Sequence, residues 1–160
     1  MPGWTPPPPT SRRSAAVPRK GLELLQVHWD AAAGVALIAH PQGLLLGTPE
    51  EIERWRDELL VKLGTIEQQR GGRFPIVVCL DGVTIRPNVA ELYGEVVRTY
   101  AERFATGLAR YSRRPNGVGQ VVTVTAMKAG YKANLFTSRS EAIAHALAGA
   151  DGAVSKPRSV

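Results

Sequence analysis

From residue 22 onward the apolar positions of this chain fall into blocks of strand-like alternation and helical spacing. "LELLQVHW" (Leu22–Trp29) is rich in strand-forming residues with partial alternation. "DAAAG" turns it, and "VALIAH" (Val35–His40) reads as its antiparallel partner. After "PQG", the segment "LLLG" is a third short extended piece. "TPEE" then opens a helix, with Thr48 as N-cap, Pro49 at the first helical position and Glu51 completing a capping box. Ile52, Trp55, Leu59, Leu63 and Ile66 follow at spacings of three and four, so this face is expected to pack on a sheet. "RGG" ends the helix.

"FPIVVCL" (Phe74–Leu80) is short and continuously apolar, as a central strand covered on both faces should be. It runs into the hinge "DGVTIRPN" and a second amphipathic helix carrying Val89, Leu92, Val96, Tyr100 and Phe104. Asn88 is placed to cap that helix, with Glu91 completing a box. "GLARYS" suits another strand, whereas residues 121–134 fit a strand by β-branching and a helix by overall pattern. "NLF" then extends, and Ser138 caps a last helix with Glu141 three residues on. This order predicts an α/β fold: a mixed β-sheet with packed helices.

A length of 160 residues suits one domain plus tails. Six of the twelve prolines fall in residues 1–20, which read as a disordered, proline-rich basic tail with too little apolar area to order itself. The domain is expected over 21–149 and a flexible C-terminal tail over 150–160. No apolar run is long enough to span a bilayer, and no signal peptide is expected, which gives a cytoplasmic expectation.

Charge changes the picture once it is divided along the chain. Of the net +6, residues 1–20 supply +4 through Arg12, Arg13, Arg19 and Lys20, and residues 151–160 supply +1. The core is nearly neutral, which argues against a specific nucleic-acid domain with a basic folded face. Within it, residues 93–150 carry three acids against eight bases. Arg110, Arg113, Arg114, Lys128, Lys132 and Arg139 either line one basic surface or stand as scattered solvated charges.

Little in the chain has the spacing of catalytic chemistry. His28, His40 and His145 fall in different elements, so no metal site and no cofactor are expected. The single cysteine, Cys79, sits in "PIVVCL" and reads as a small core residue. Asp81, at the end of an apolar strand, resembles the acid of phosphate-handling enzymes, but no second acid or phosphate-cradling loop accompanies it.

With these elements in order, residues 22–148 resemble a STAS domain, the fold of bacterial anti-sigma-factor antagonists and SpoIIAA-like proteins. The resemblance rests on "VVCLDGVTIRPN", similar to that family's strand–turn–helix junction, and on "NLFTSRSEAIAHAL", similar to its ending. It implies a non-enzymatic regulatory module whose partner is an anti-sigma factor or a kinase-like protein. The family's phosphorylated hydroxyl is missing: Pro87, Asn88 and Val89 occupy its place, and Thr84 lies earlier in the hinge. Asp81, Thr84, Arg86 and Asn88 are accordingly the candidate partner-binding residues. The alternative function is a membrane-surface or anionic-ligand binder using the basic C-terminal half and the tails, with weak, salt-sensitive contacts.

Overall fold

In chain order the strands are Gln26–Asp30 (β1), Val35–Ala39 (β2), Leu44–Leu46 (β3), Phe74–Cys79 (β4), Val83–Ile85 (β5), Ala105–Tyr111 (β6) and Leu135–Phe136 (β7). The helices are Pro49–Arg70 (α1), Ala90–Phe104 (α2) and Arg139–Ala148 (α3). The computed structural model describes residues 25–114, 121–123, 125, 126 and 133–149. The tails expected at 1–20 and 150–160, and the domain start at 21, lie outside the described residues.

β1 and β2 form the antiparallel hairpin that the alternation predicts. Its turn closes where the Gly34 N–H donates to the Asp30 carbonyl (2.7 Å) and the Ala33 N–H to the Asp30 carboxylate (3.1 Å). The remaining main-sheet pairs are parallel, giving the order β1-β2-β4-β6-β7, a mixed sheet. β4 lies in the middle, and its side chains alternate between two cores. Ile76 and Val78 join Ala36, Ile38 and Leu108 beneath α1 and α2, whereas Val77 joins Val35 and Ala109 beneath α3.

The face of α1 that the spacing marks is the face that is buried: Ile52, Trp55, Leu59, Leu63 and Ile66. Its capping box forms in both directions between Thr48 and Glu51. At the other end Gly71 adopts a left-handed φ of 79° and its N–H donates to the Glu67 carbonyl, as a helix-terminating glycine should. On the opposite face of the sheet, α3 buries only Ala142 and Ala146 and starts with Ser138 Oγ accepting from the Glu141 N–H (3.1 Å). Small residues allow a close approach there, and a Cβ at Gly107 of β6 would collide with the Ala146 carbonyl.

One open reading is resolved and one expectation needs correction. The segment over 121–134 is not a strand where it is described: residues 121–123, 125 and 126 are helical, with Val122 and Ala126 buried four apart on one face. Arg110 does not belong to a surface. It is only 1% exposed, and its guanidinium donates to the Ala133 carbonyl. Together with Asn134, whose amide donates to the Leu108 carbonyl (2.9 Å), it stitches β6 to the chain entering β7. Arg139 is paired with Asp30 at 2.9 Å, and Lys128 and Lys132 lie outside the described residues. No helix among the described residues is long and apolar enough to cross a membrane.

Leu59 is fully buried between α1 and the sheet. Leu59→Ala is expected to cost about 2–5 kcal/mol as a cavity in a packed core, read from chemical denaturation at unchanged m-value.

Candidate functional site

The hinge after β4 is not a simple turn. Val83–Ile85 is extended and pairs in parallel with β3, in the register Leu44↔Val83, Leu45↔Thr84 and Leu46↔Ile85. This two-stranded ribbon stands apart from the main sheet. Period-two alternation buries Leu46, Val83 and Ile85 and turns Leu45 and Thr84 outward as neighbours. Leu45 is 39% exposed, one of three large apolar residues exposed among the described residues.

Glycines make the ribbon's entry possible. Gly82 has a φ of +91°, and a Cβ there would meet the Pro41 carbonyl oxygen and the Gln42 Cα, both at 3.1 Å. Its carbonyl accepts from the N–H groups of Gly43 (2.8 Å) and Leu44 (3.1 Å), which locks the two crossing loops together.

The ribbon's far end is organised around Gly47. Its N–H donates to Glu51 Oε1 (2.8 Å), the oxygen that also accepts from the Thr48 N–H. Its carbonyl accepts from Asn88 Nδ2 (2.9 Å). The Arg86 N–H donates to the Leu46 carbonyl (3.0 Å), and the Arg86 side chain crosses so near Gly47 that a Cβ there would come within 2.9 Å of its Cδ. The start of α1 and the approach to α2 are thus tied at one backbone position.

That network corrects the reading of Asn88 as an N-cap with Glu91. Pro87–Val89 is a 3-10 turn ahead of α2, and the helix cap is Val89, with no side-chain cap bond. The Asn88 amide is spent instead on a carbonyl 41 residues away. The face of α2 also shifts: Tyr93, Gly94 and Val97 are buried with Val96, Tyr100 and Phe104, whereas Leu92 is half-buried.

Thr84, Arg86 and Asn88 are all exposed along this edge. Asp81 is separated from them in role. It is half-buried and accepts from Ser112 Oγ (3.0 Å) and the Arg113 N–H (3.0 Å) at the end of β6, with Cys79 Sγ at 3.7 Å. It fastens the exit of β4 to the exit of β6. Cys79 is half-buried rather than fully in the core. Burial, followed by the hydrogen bond to Cys79, pushes the neighbouring Tyr111 hydroxyl up to about 12, against the pull of Arg139 and Arg113.

Leu45, Gly47 and β5 escape sequence reasoning. The signal available for them was the three-residue "LLL", because so short a strand needs a partner to satisfy its backbone. His40 directly follows β2. Its Nδ1–H donates to the Cys79 carbonyl (2.9 Å), and its ring stacks on Trp55, which in turn stacks on Tyr93. Burial moves its pKa below 6.5, outweighing that hydrogen bond, which favours the charged ring. No group of three or more metal-ligating side chains occurs among the described residues.

Because Asn88 is a donor and not a cap, Asn88→Asp sets a carboxylate against the Gly47 carbonyl. We expect a loss of about 1–3 kcal/mol in chemical denaturation, where an N-cap would tolerate the change. His40 provides a pH test. With its folded pKa depressed, the unfolded chain binds more protons below pH 6.5, so stability is full above that value and falls as the pH drops toward the folded pKa. His40→Gln should flatten this acid limb, seen as a smaller change in Tm between about pH 7.5 and 5.5 than in the parent.

Compared with known proteins, the chain matches no family model, no curated protein and no solved structure.

Proposed function

We propose that this chain is a non-enzymatic protein-interaction module of STAS-like architecture, with the β3–β5 ribbon and the approach to α2 as its partner surface. The observation that carries this reading is the outward pair Leu45 and Thr84, set beside exposed Arg86 and Asn88 on a ribbon pinned at both ends. An apolar residue inside a polar rim is the composition of a small interface. Pinning means that a partner does not have to order the loop on binding, which lowers the entropic cost of association.

Asp81 belongs to this surface as its support. Its Oδ1 collects donors from Ser112 and Arg113, and it holds the chain where β4 delivers it to β5. The resemblance supplies the kind of partner, an anti-sigma factor or kinase-like protein. The missing hydroxyl at 87–89 leaves Thr84, outward on β5, as the hydroxyl nearest the family's switch position. The alternative reading, an anionic surface bound by the basic half, is weakened because Arg110 is buried and Arg139 is paired with Asp30.

Two exposed positions test the proposal without touching the core. Arg86→Glu and Thr84→Asp should each keep the circular-dichroism spectrum and Tm of the parent while depleting its partners in a pull-down, at low and at high salt. If both folded variants retained the full partner set, the ribbon would be a structural turn only.

A further inference from the structure

β1 is an edge strand, and among the described residues nothing pairs with its outer side. A groove of about 520 Å³ runs between that edge and the second half of α1. Leu25, Val27, Trp29 and Ile66 give it apolar walls, and Lys62, Thr65 and Gln69 of α1 line its polar side.

The backbone of β1 can be oriented from the hydrogen bonds. Lys62 Nζ donates to the Leu25 carbonyl (2.7 Å), so Leu25 presents its peptide group to the groove side. In an antiparallel pair, successive residues direct their N–H and C=O groups alternately toward and away from the partner strand. Val27 and Trp29 therefore present theirs outward with Leu25, while Gln26, His28 and Asp30 face β2. Beyond the Leu25 carbonyl, which Lys62 holds, this row pairs with no strand among the described residues and is a template for an added one.

Charge indicates which strand. Among the described residues that line the groove none is a carboxylate, and the one lysine is Lys62. An ammonium has three donors, and Lys62 gives one to the Leu25 carbonyl and one to Glu58 (3.0 Å), which leaves a third. Arg70 adds positive charge beside the groove, its guanidinium lying 4.2 Å over the Trp29 ring.

We propose that this groove binds an extended polypeptide segment of a partner protein by strand addition to β1, with an acidic side chain of that segment on Lys62. The site lies on a different element from the ribbon and does not depend on that reading.

The probe is a blocked peptide alternating valine and threonine around a central aspartate, titrated into the full-length chain and followed by amide resonances. Saturable shifts are expected at Val27 and Trp29, with quenching of Trp29 fluorescence. Replacing the aspartate with lysine should weaken binding by about tenfold, the usual scale for a charge-assisted hydrogen bond. Lys62→Glu should do the same for the original peptide. Since that change also strips the Leu25 carbonyl of its donor, Thr65→Phe provides a second, uncharged variant: Thr65 is exposed, and a larger side chain there fills the groove without entering the core. A folded Thr65→Phe chain that binds as well as the parent would overturn the proposal, as would no saturable shift at Val27 and Trp29. Shifts at these amides on raising the protein concentration alone would assign the groove to a second copy of the chain and overturn it too.

Discussion

Burial of β4 on both faces and along both edges is the constraint from which the rest of the molecule follows. A strand with β2 on one side, β6 on the other, α1 and α2 above and α3 below cannot slip by one residue without exchanging its two cores. Its exit is then a fixed point, and every loop at that end of the sheet must be arranged around it. Asp81 does this electrostatically, drawing the end of β6 onto its carboxylate. Gly82 does it sterically, because only a residue without a Cβ lets the loop leaving β2 cross so near the loop leaving β4. The ribbon that follows is a consequence of that crossing.

How much of this was legible depends on the range over which each interaction acts. The capping of α1 by Thr48 and Glu51 and of α3 by Ser138 is local, completed within three residues, and a sequence pattern reports it. The continuous apolar run of β4 and the buried face of α1 were equally plain, since periodicity records burial directly. Asn88 shows where that logic stops. Its composition and position are those of a cap, yet its Nδ2 donates to the Gly47 carbonyl, distant in sequence, and no side-chain cap bond forms at the start of α2. β5 was hidden for the same reason: three residues carry no reliable alternation, and the partner that makes them a strand is β3. Arg110 failed in the opposite direction. A cation was read as exposed, on a basic surface or scattered in solvent, although the Ala133 carbonyl ahead of β7 accepts from its buried guanidinium.

At the candidate site, Thr84, Arg86 and Asn88 share one exposed edge, while Asp81 is drawn away to β6. Residue type alone did not distinguish a side chain that supports a surface from one that forms it. The difference lies in how many donors each carboxylate or amide already satisfies, a quantity set by neighbours on other strands. Asp81 Oδ1 and Asn88 Nδ2 already bond groups on other segments, whereas Thr84 has its outward position by strand parity alone.

Helix α1 joins the two proposed surfaces. Its first turn is bonded to Gly47 beside the ribbon, and its second half forms a wall of the groove along β1. At 1.5 Å per residue its length is about 33 Å, so binding at one end would need a mechanical route to affect the other. Coupling between sites requires an element with two arrangements whose balance both ligands shift. α1 offers none among its own contacts: a reciprocal capping box holds one end, a left-handed glycine cap holds the other, and five buried side chains fix the face between them. A helix held in this way transmits position and not choice. On this physical ground the two proposed surfaces would bind independently, and their separation along one rigid element would set how far apart two partners held by the same molecule stand.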